Sequence, residues 1–201
     1  MGNRQESAAR TREKLVEAGR EIVHEKGITG TSVEEITEKA GVSKGTFYTY
    51  FRRKEDLVVE LSRSMFGEIL ENAVRSEGDF QDRLENYMVN FSGYIQEGGI
   101  NLARDWIRNV VDPRFSDDDN YSGKLRFDIS SARMLIKSGV DDGLLRKDIP
   151  EEKTARIITE ALYGQLLCWG MSGGTYSLSE RAEELCRMCA YPIFKEYIIK
   201  R

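Results

Sequence analysis

The chain has 201 residues and a formal net charge of −4, with 34 acidic against 30 basic side chains. That length buries a sizeable core and suits one large or two small domains, here a small head on a larger body. With three cysteines, no apolar N-terminal leader and no run near the roughly 18 apolar residues of a membrane span, neither a secreted disulfide scaffold nor a membrane protein is expected; a cytoplasmic protein with reduced thiols is.

Only three prolines interrupt long 3.6-residue apolar periods, so an all-α fold of about nine helices is predicted. The first helix runs from about Ser7 to Lys26, with Leu15, Ala18, Ile22 and Val23 turned inward and Gly27 as its stop. His24, the single histidine, stands near its end without a cysteine or carboxylate at ligand spacing and reads as a surface or packing residue. Ser32 and Glu35 form a capping box that starts a short second helix at Val33, with Val33, Ile36 and Ala40 facing inward. Gly41 ends it within a tight turn, and Ser43 caps a third helix. There Phe47 and Phe51 share one side, leaving Lys44, Gly45, Thr46, Tyr48 and Thr49 more exposed. Two short helices crossing at such a turn read as a helix-turn-helix, whose second helix offers its N-terminal end to base edges.

Between Lys39 and Lys54 every charged residue is basic: Lys39, Lys44, Arg52, Arg53 and Lys54. Arg4, Arg10, Arg12 and Lys14 add a second cluster around the start of the first helix. Such runs are read either as a solvated face or as a surface for phosphates. The run GVSKGTFYTYF followed by RRKEDL, with TREKLVEAGREIVHEKG before it, resembles the DNA-binding domain of TetR/AcrR-type transcriptional repressors over roughly the first quarter to a third of the chain. The resemblance implies that Lys44, Gly45, Thr46 and Thr49 face bases and that Thr31, Ser32, Tyr48, Tyr50 and Lys54 hold phosphates. It favours the phosphate reading of the basic run. Two departures lie off that face: Ile28 replaces a more usual aromatic, and Gly19 stands where alanine is common, at a helix cost of about 1 kcal/mol. The division implied is a DNA-binding domain over 1–54 and an effector-binding and dimerisation domain over 55–201.

The body begins with a long linking helix, about Glu55 to Ser76, carrying Leu57, Val58, Leu61, Met65, Ile69 and Val74. Helices follow at Phe80 to Gln96 (Leu84, Tyr87, Met88, Phe91, Ile95) and Asn101 to Val111 (Leu102, Trp106, Ile107, Val110), the second stopped by Pro113. Asp112 to Ser122 is a polar loop. Lys124 to Asp142 presents Leu125, Ile129, Ala132, Ile136 and Val140, and Gly143 ends it. Pro150 and Glu151 open the eighth helix, which the glycines at 170, 173 and 174 end; Ser177 and Glu180 box the start of a ninth that Pro192 ends or kinks.

Tyr163, Leu166, Leu167, Trp169, Leu185, Met188 and Cys189 exceed one apolar stripe, which leaves a subunit core or a partner chain to cover them. The resemblance implies a homodimer through the eighth and ninth helices, reading a palindromic operator in double-stranded DNA. It also implies a small-molecule effector site, for which Tyr87, Phe91, Trp106, Phe127, Tyr163 and Trp169 are the aromatic candidates, with Asn90, Arg104, Asp105, Asp128, Glu160 and Gln165 as polar anchors. Each aromatic taken alone also reads as plain core. Cys186 and Cys189 stand i, i+3 with Cys168 on the neighbouring helix; a thiol sensor or soft-metal site is set against packing, and a lone CxxC favours packing, so no metal and no cofactor are expected. No glycine phosphate loop, GxSxG, HExxH or triad is present, so no catalytic residue is assigned. The resulting expectation is a ligand-responsive DNA-binding repressor; the alternative is a helical small-molecule-binding or oligomerisation protein without DNA binding.

Overall fold

The computed structural model describes residues 2–111 and 123–199. The predicted loop from Asp112 to Ser122, with Pro113, lies outside the described residues, as do the side chains of Arg4 and Val110. Two compact units form, Met1–Ser64 and Met65–Arg201. The regular structure described is helical, apart from one antiparallel bridge between Leu145 and Ile198.

The first unit holds α1 (Gly2–Gly30), α2 (Val33–Ala40), α3 (Lys44–Tyr50) and the opening turns of α4 (Lys54–Arg75). Helix α1 starts earlier than the predicted Ser7. Its regular part stops where expected, because Gly27 turns left-handed at φ 72°. The Ser32–Glu35 box is complete: the Ser32 hydroxyl accepts from the Glu35 N–H, and the Glu35 carboxylate accepts from the Ser32 N–H at 3.1 Å. Gly41, at φ 67°, caps α2 and donates back to its last carbonyls. These local devices fix the elements, and Leu15, Ala18, Ile22, Ile36, Phe47, Phe51, Leu57 and Leu61 join them in one core. Gly19 has a packing reason that helix propensity misses: a Cβ there would lie 2.3 Å from Leu57 Cδ2.

The second unit takes the rest of α4, then α5 (Phe80–Glu97), α6 (Gly99–Val111), α7 (Gly123–Asp141), α8 (Glu151–Ser172) and α9 (Leu178–Leu185), which runs on through a π turn (Cys186–Ala190) into α10 (Tyr191–Phe194). Here α4 buries Phe66, Ile69, Leu70 and Ala73, whereas Met65 and Val74 are half-buried. Asp79 and Asp82 form an unpredicted capping box for α5. On α7 the buried face is turned one residue from the predicted stripe: Lys124, Asp128, Ser131, Leu135 and Gly139 go in, with Ala132 and Ile136, while Leu125, Ile129 and Val140 are half-buried.

Gly170 does not end α8. It stays helical and buried with the Ile107 side chain close over it, and Gly173, at φ 75°, makes the stop. At the start of α9 the Ser177 hydroxyl accepts from the Glu180 N–H at 3.2 Å, one half of the predicted box. The expected break at Pro192 is instead a register change. Proline offers no N–H to the carbonyl four residues back, and the ladder widens ahead of it, the Tyr191 N–H bonding to the Cys186 carbonyl. Beyond α10 the chain pairs with the α7–α8 connection, Arg146 N–H to Tyr197 O at 2.8 Å and Ile199 N–H to Leu144 O at 3.0 Å.

Candidate functional site

Helix α3 is held by one side only. Phe47 is fully buried, its ring 5.4 Å from that of Phe51, and the Ser43 hydroxyl accepts the Thr46 N–H at 3.1 Å. The opposite side carries Lys44, Gly45 and Thr49 in the open, with Tyr48 still 56% exposed although its ring meets that of Phe47 edge-on at 5.5 Å. Thr46 and Tyr50 are half-buried. A Cβ at Gly45 would meet only the Ser43 hydroxyl, at an ordinary 3.6 Å. Internal packing therefore does not require glycine there, whereas close approach of an external backbone would.

The charges around this surface are less free than the run of basic residues suggests. Lys44 is paired with Glu34 and Lys39 with Glu21; Arg53 meets Asp56 at 3.1 Å, and Arg12 meets Glu60 at 2.5 Å while its guanidinium lies 5.4 Å from the Phe51 ring. The Lys44 hydrogen bond holds the Glu34 carboxyl below its usual range, and the Lys26 hydrogen bond, followed by those of Ser32, brings Glu35 down to about 2. Lys54 is turned inward, its ammonium donating to the carbonyls of Ile28 and Thr31 at 2.8 Å each. Thr31 is buried and its hydroxyl donates to the Gly27 carbonyl at 2.6 Å. Thr31 and Lys54 thus tie the end of α1, the start of α2 and the start of α4 together, and Ser32 is carried on that tie.

In the second unit, five of the six candidate aromatics gather round a buried ion pair. Lys124 and Asp128, one turn apart on α7, are 3% and 0% exposed, and the ammonium lies 2.5 Å from both carboxylate oxygens. The Tyr163 hydroxyl donates to the same carboxylate at 2.6 Å. Around the ammonium stand the rings of Phe66 at 3.9 Å, Phe91 at 5.7 Å, Phe127 at 5.8 Å and Trp106 at 5.9 Å. Trp106 meets Tyr163 edge-on at 5.4 Å, and Tyr87 lies 6.2 Å from Phe91. Burial, then the charge of Asp128, pushes the Tyr87 and Tyr163 hydroxyls far up, so both stay protonated. A desolvated cation over an aromatic face gains about 2 kcal/mol or more, which offsets part of the cost of taking the pair out of water.

Trp169 is elsewhere, packed with Ala103, Leu166 and Leu178 and donating its indole N–H to the Tyr176 carbonyl at 2.8 Å. Of the polar candidates Asp128 is at the cage; Arg104 bonds to the Gly170 carbonyl, Gln165 to that of Arg181 and Asn90 to Asn86, Asp105 accepts from Arg108, and Glu160 is exposed. His24 is exposed. The two cysteines of CRMC part company in the π turn. Cys186 is buried, its thiol pushed up to about 12 chiefly by desolvation, whereas Cys189 is exposed. Among the described residues no group of three or more His, Cys, Asp or Glu side chains is placed to hold a metal, and no helix is long and apolar enough to cross a membrane.

Residues 15–61, the stretch that builds α1 to α3 and the start of α4, match the profile of the bacterial regulatory proteins of the tetR family. That stretch carries the DNA-binding domain of the TetR family. The match supports a DNA-binding transcriptional regulator, and the reading without DNA binding is not favoured. It is 25% identical over 181 residues to the transcriptional repressor KstR2 of Rhodococcus jostii (strain RHA1), 86% of each chain. It is 33% identical over 70 residues to the fatty acid metabolism regulator protein of Bacillus subtilis (strain 168), a match spanning 35% of this chain and only 34% of that relative. In fold it is similar to Thermus thermophilus FadR, a TetR-family repressor crystallised with lauroyl-CoA, at TM-score 0.71 and 19% identity over 94% of this chain and 96% of that one.

Two features of this chain are not legible in its sequence. Lys124 and Phe66 were absent from the aromatic set, although Lys124, Phe127 and Asp128 stand at i, i+3 and i+4, the spacing that gathers a cation, a ring and a carboxylate on one helical face. Lys54 gave no sign of facing inward, because its partners lie 26 and 23 residues away.

Proposed function

We propose that the chain is a repressor that binds a palindromic operator as a homodimer and is released by a small-molecule effector. The observation carrying this is the one-sided anchoring of α3, which leaves Lys44, Gly45, Tyr48 and Thr49 presented to solvent. In this reading residues 1–54 are the DNA-binding domain, with Lys44, Gly45, Thr46 and Thr49 on bases and Ser32, Tyr48 and Tyr50 on phosphates. Thr31 and Lys54 brace that surface, and the third ammonium hydrogen of Lys54 is left to reach a phosphate. Residues 55–201 serve the effector and the dimer, and the protein works in the cytoplasm without catalysis.

The dimer reading rests on a stripe along α8, Ile157, Glu160, Gly164, Leu167, Cys168 and Met171, exposed at successive turns, with Met188 and Cys189 exposed after α9. Leu167 is 49%, Met171 77% and Met188 72% exposed, more apolar surface than a lone helix pair keeps in water. Selection of bound duplexes from a random pool tests the function. A palindromic consensus is expected, with half-sites one helical turn apart or a multiple of it. Lys44→Ala should then relax one position of each half-site by about 1–3 kcal/mol. A pool that yields no sequence preference refutes the reading.

A further inference from the structure

The Lys124 ammonium sits where a ligand would be recognised. Four rings surround it between 3.9 and 5.9 Å, Asp128 supplies the counter-charge, and Tyr163 fixes the carboxylate from the other side. Rings about a cation with one carboxylate behind them are the chemistry that binds alkylammonium groups. Lysine's own head is a compact ammonium on a flexible four-carbon stem, here in the first turn of α7, where leaving the cage breaks no interior turn of the helix.

We propose that Lys124 is an internal stand-in for a ligand, and that this cage binds the alkylammonium head of a small organic cation in its place. The inference rests on the reading of residues 55–201 as the effector domain and names the effector's chemical class. Charge balance selects that class. Exchange of one monovalent cation for another leaves the charge that faces Asp128 unchanged. A neutral guest that displaced Lys124 would strand the Asp128 carboxylate in low dielectric, and an anionic guest paired with Lys124 would do the same. The walls are Phe66, Phe91, Trp106 and Phe127; Asp128 is the anchor and Tyr163 its positioning residue.

The test is calorimetric titration of the full chain with n-hexylammonium, n-hexanol and hexanoate, three probes of one length and different charge, with lauroyl-CoA as a bulky anionic arm. Hexylammonium is expected to bind at least tenfold more tightly than the other two six-carbon probes. Lys124→Met removes the internal competitor, so hexylammonium should bind that variant at least tenfold more tightly than the parent and raise its Tm by more. Asp128→Asn should abolish the preference; if that variant does not fold, the probe comparison in the parent and in Lys124→Met decides. Equal binding of hexylammonium and hexanol overturns the proposal. So does hexanoate or lauroyl-CoA binding that Lys124→Met removes, which would make Lys124 an anion anchor. Operator affinity is measured in the same samples: a cation that binds the cage without changing it upholds the site and refutes its role as effector site. Failure of the ligand-free parent to bind any operator refutes the repressor reading and leaves the titration result standing.

Discussion

Removing the Lys54 side chain separates a brace from a phosphate ligand. Lys54→Ala deletes two charge-assisted hydrogen bonds of 2.8 Å to the part-buried carbonyls of Ile28 and Thr31. Such bonds contribute roughly 1.5–3 kcal/mol each, and the low end applies because water can reach both carbonyls once the side chain is gone. Taking a positive charge out of the first turn of α4 returns about 0.5 kcal/mol, since that end of a helix disfavours cations. The first unit should therefore lose about 2.5 kcal/mol of stability. Native-state hydrogen exchange resolves this without assuming that the whole chain unfolds in one step. The amides of α2 and α3, Val42 and Phe51 included, should open roughly sixtyfold more often. Operator affinity should fall alongside, similarly for all sequences, because Ser32 loses its support. Unchanged exchange in those amides together with weakened DNA binding would refute the brace and make Lys54 a phosphate ligand alone.

Gly19→Ala gains about 1 kcal/mol of helix propensity yet forces a Cβ to 2.3 Å from Leu57 Cδ2 in a fully buried contact, so a net loss of about 1 kcal/mol is expected; a stabilised variant would contradict the packing argument. Glu35 has a folded pKa of about 2 against an ordinary 4.5, so its stabilisation is present above about pH 4.5 and is lost as pH falls through 2. Glu35→Gln keeps the capping geometry without the charge, and the parent's advantage over it in urea titrations should shrink from pH 5 toward pH 2; a constant difference would exclude the Lys26 and Ser32 bonds as its source. Leu167→Glu and Met171→Glu place charges on the exposed stripe of α8 and should convert dimers to monomers in sedimentation velocity with little change in far-ultraviolet circular dichroism. Persistence of the dimer in both would move the interface elsewhere.

The helices of the first unit were legible because their signals are short-range. A serine hydroxyl and a glutamate three residues on satisfy each other's backbone, and a glycine that turns left-handed ends a helix wherever it falls, so Ser32, Glu35, Gly27 and Gly41 mark their elements without distant help. The same signals misled where packing intervened. Gly170 reads as a stop, but Ile107 packs over its bare Cα and α8 continues to Ser172. Pro192 reads as an end, but the widened turn over Cys186–Ala190 just ahead of it absorbs its missing N–H and buries Cys186 while exposing Cys189. On α7 an apolar count places the core face on Leu125 and Ile129, one residue from Lys124 and Asp128, because counting hydrophobic residues cannot register a cation and a carboxylate that neutralise each other.

Helix count, head architecture, family and the exposed side of α3 all follow from residue order, since each depends on spacings of a few residues. The state of the charges does not. Lys39, Lys44 and Lys54 look alike in an acid-free run, yet Lys39 is met by Glu21, Lys44 by Glu34 and Lys54 by two carbonyls more than twenty residues away. Likewise the aromatics of the second unit become a cage only when α4, α5, α6, α7 and α8 bring Phe66, Phe91, Trp106, Lys124, Phe127, Asp128 and Tyr163 within a few ångströms. Coulombic and cation–π attraction fall off over such distances, and a linear pattern carries no information about which distant segments will close them.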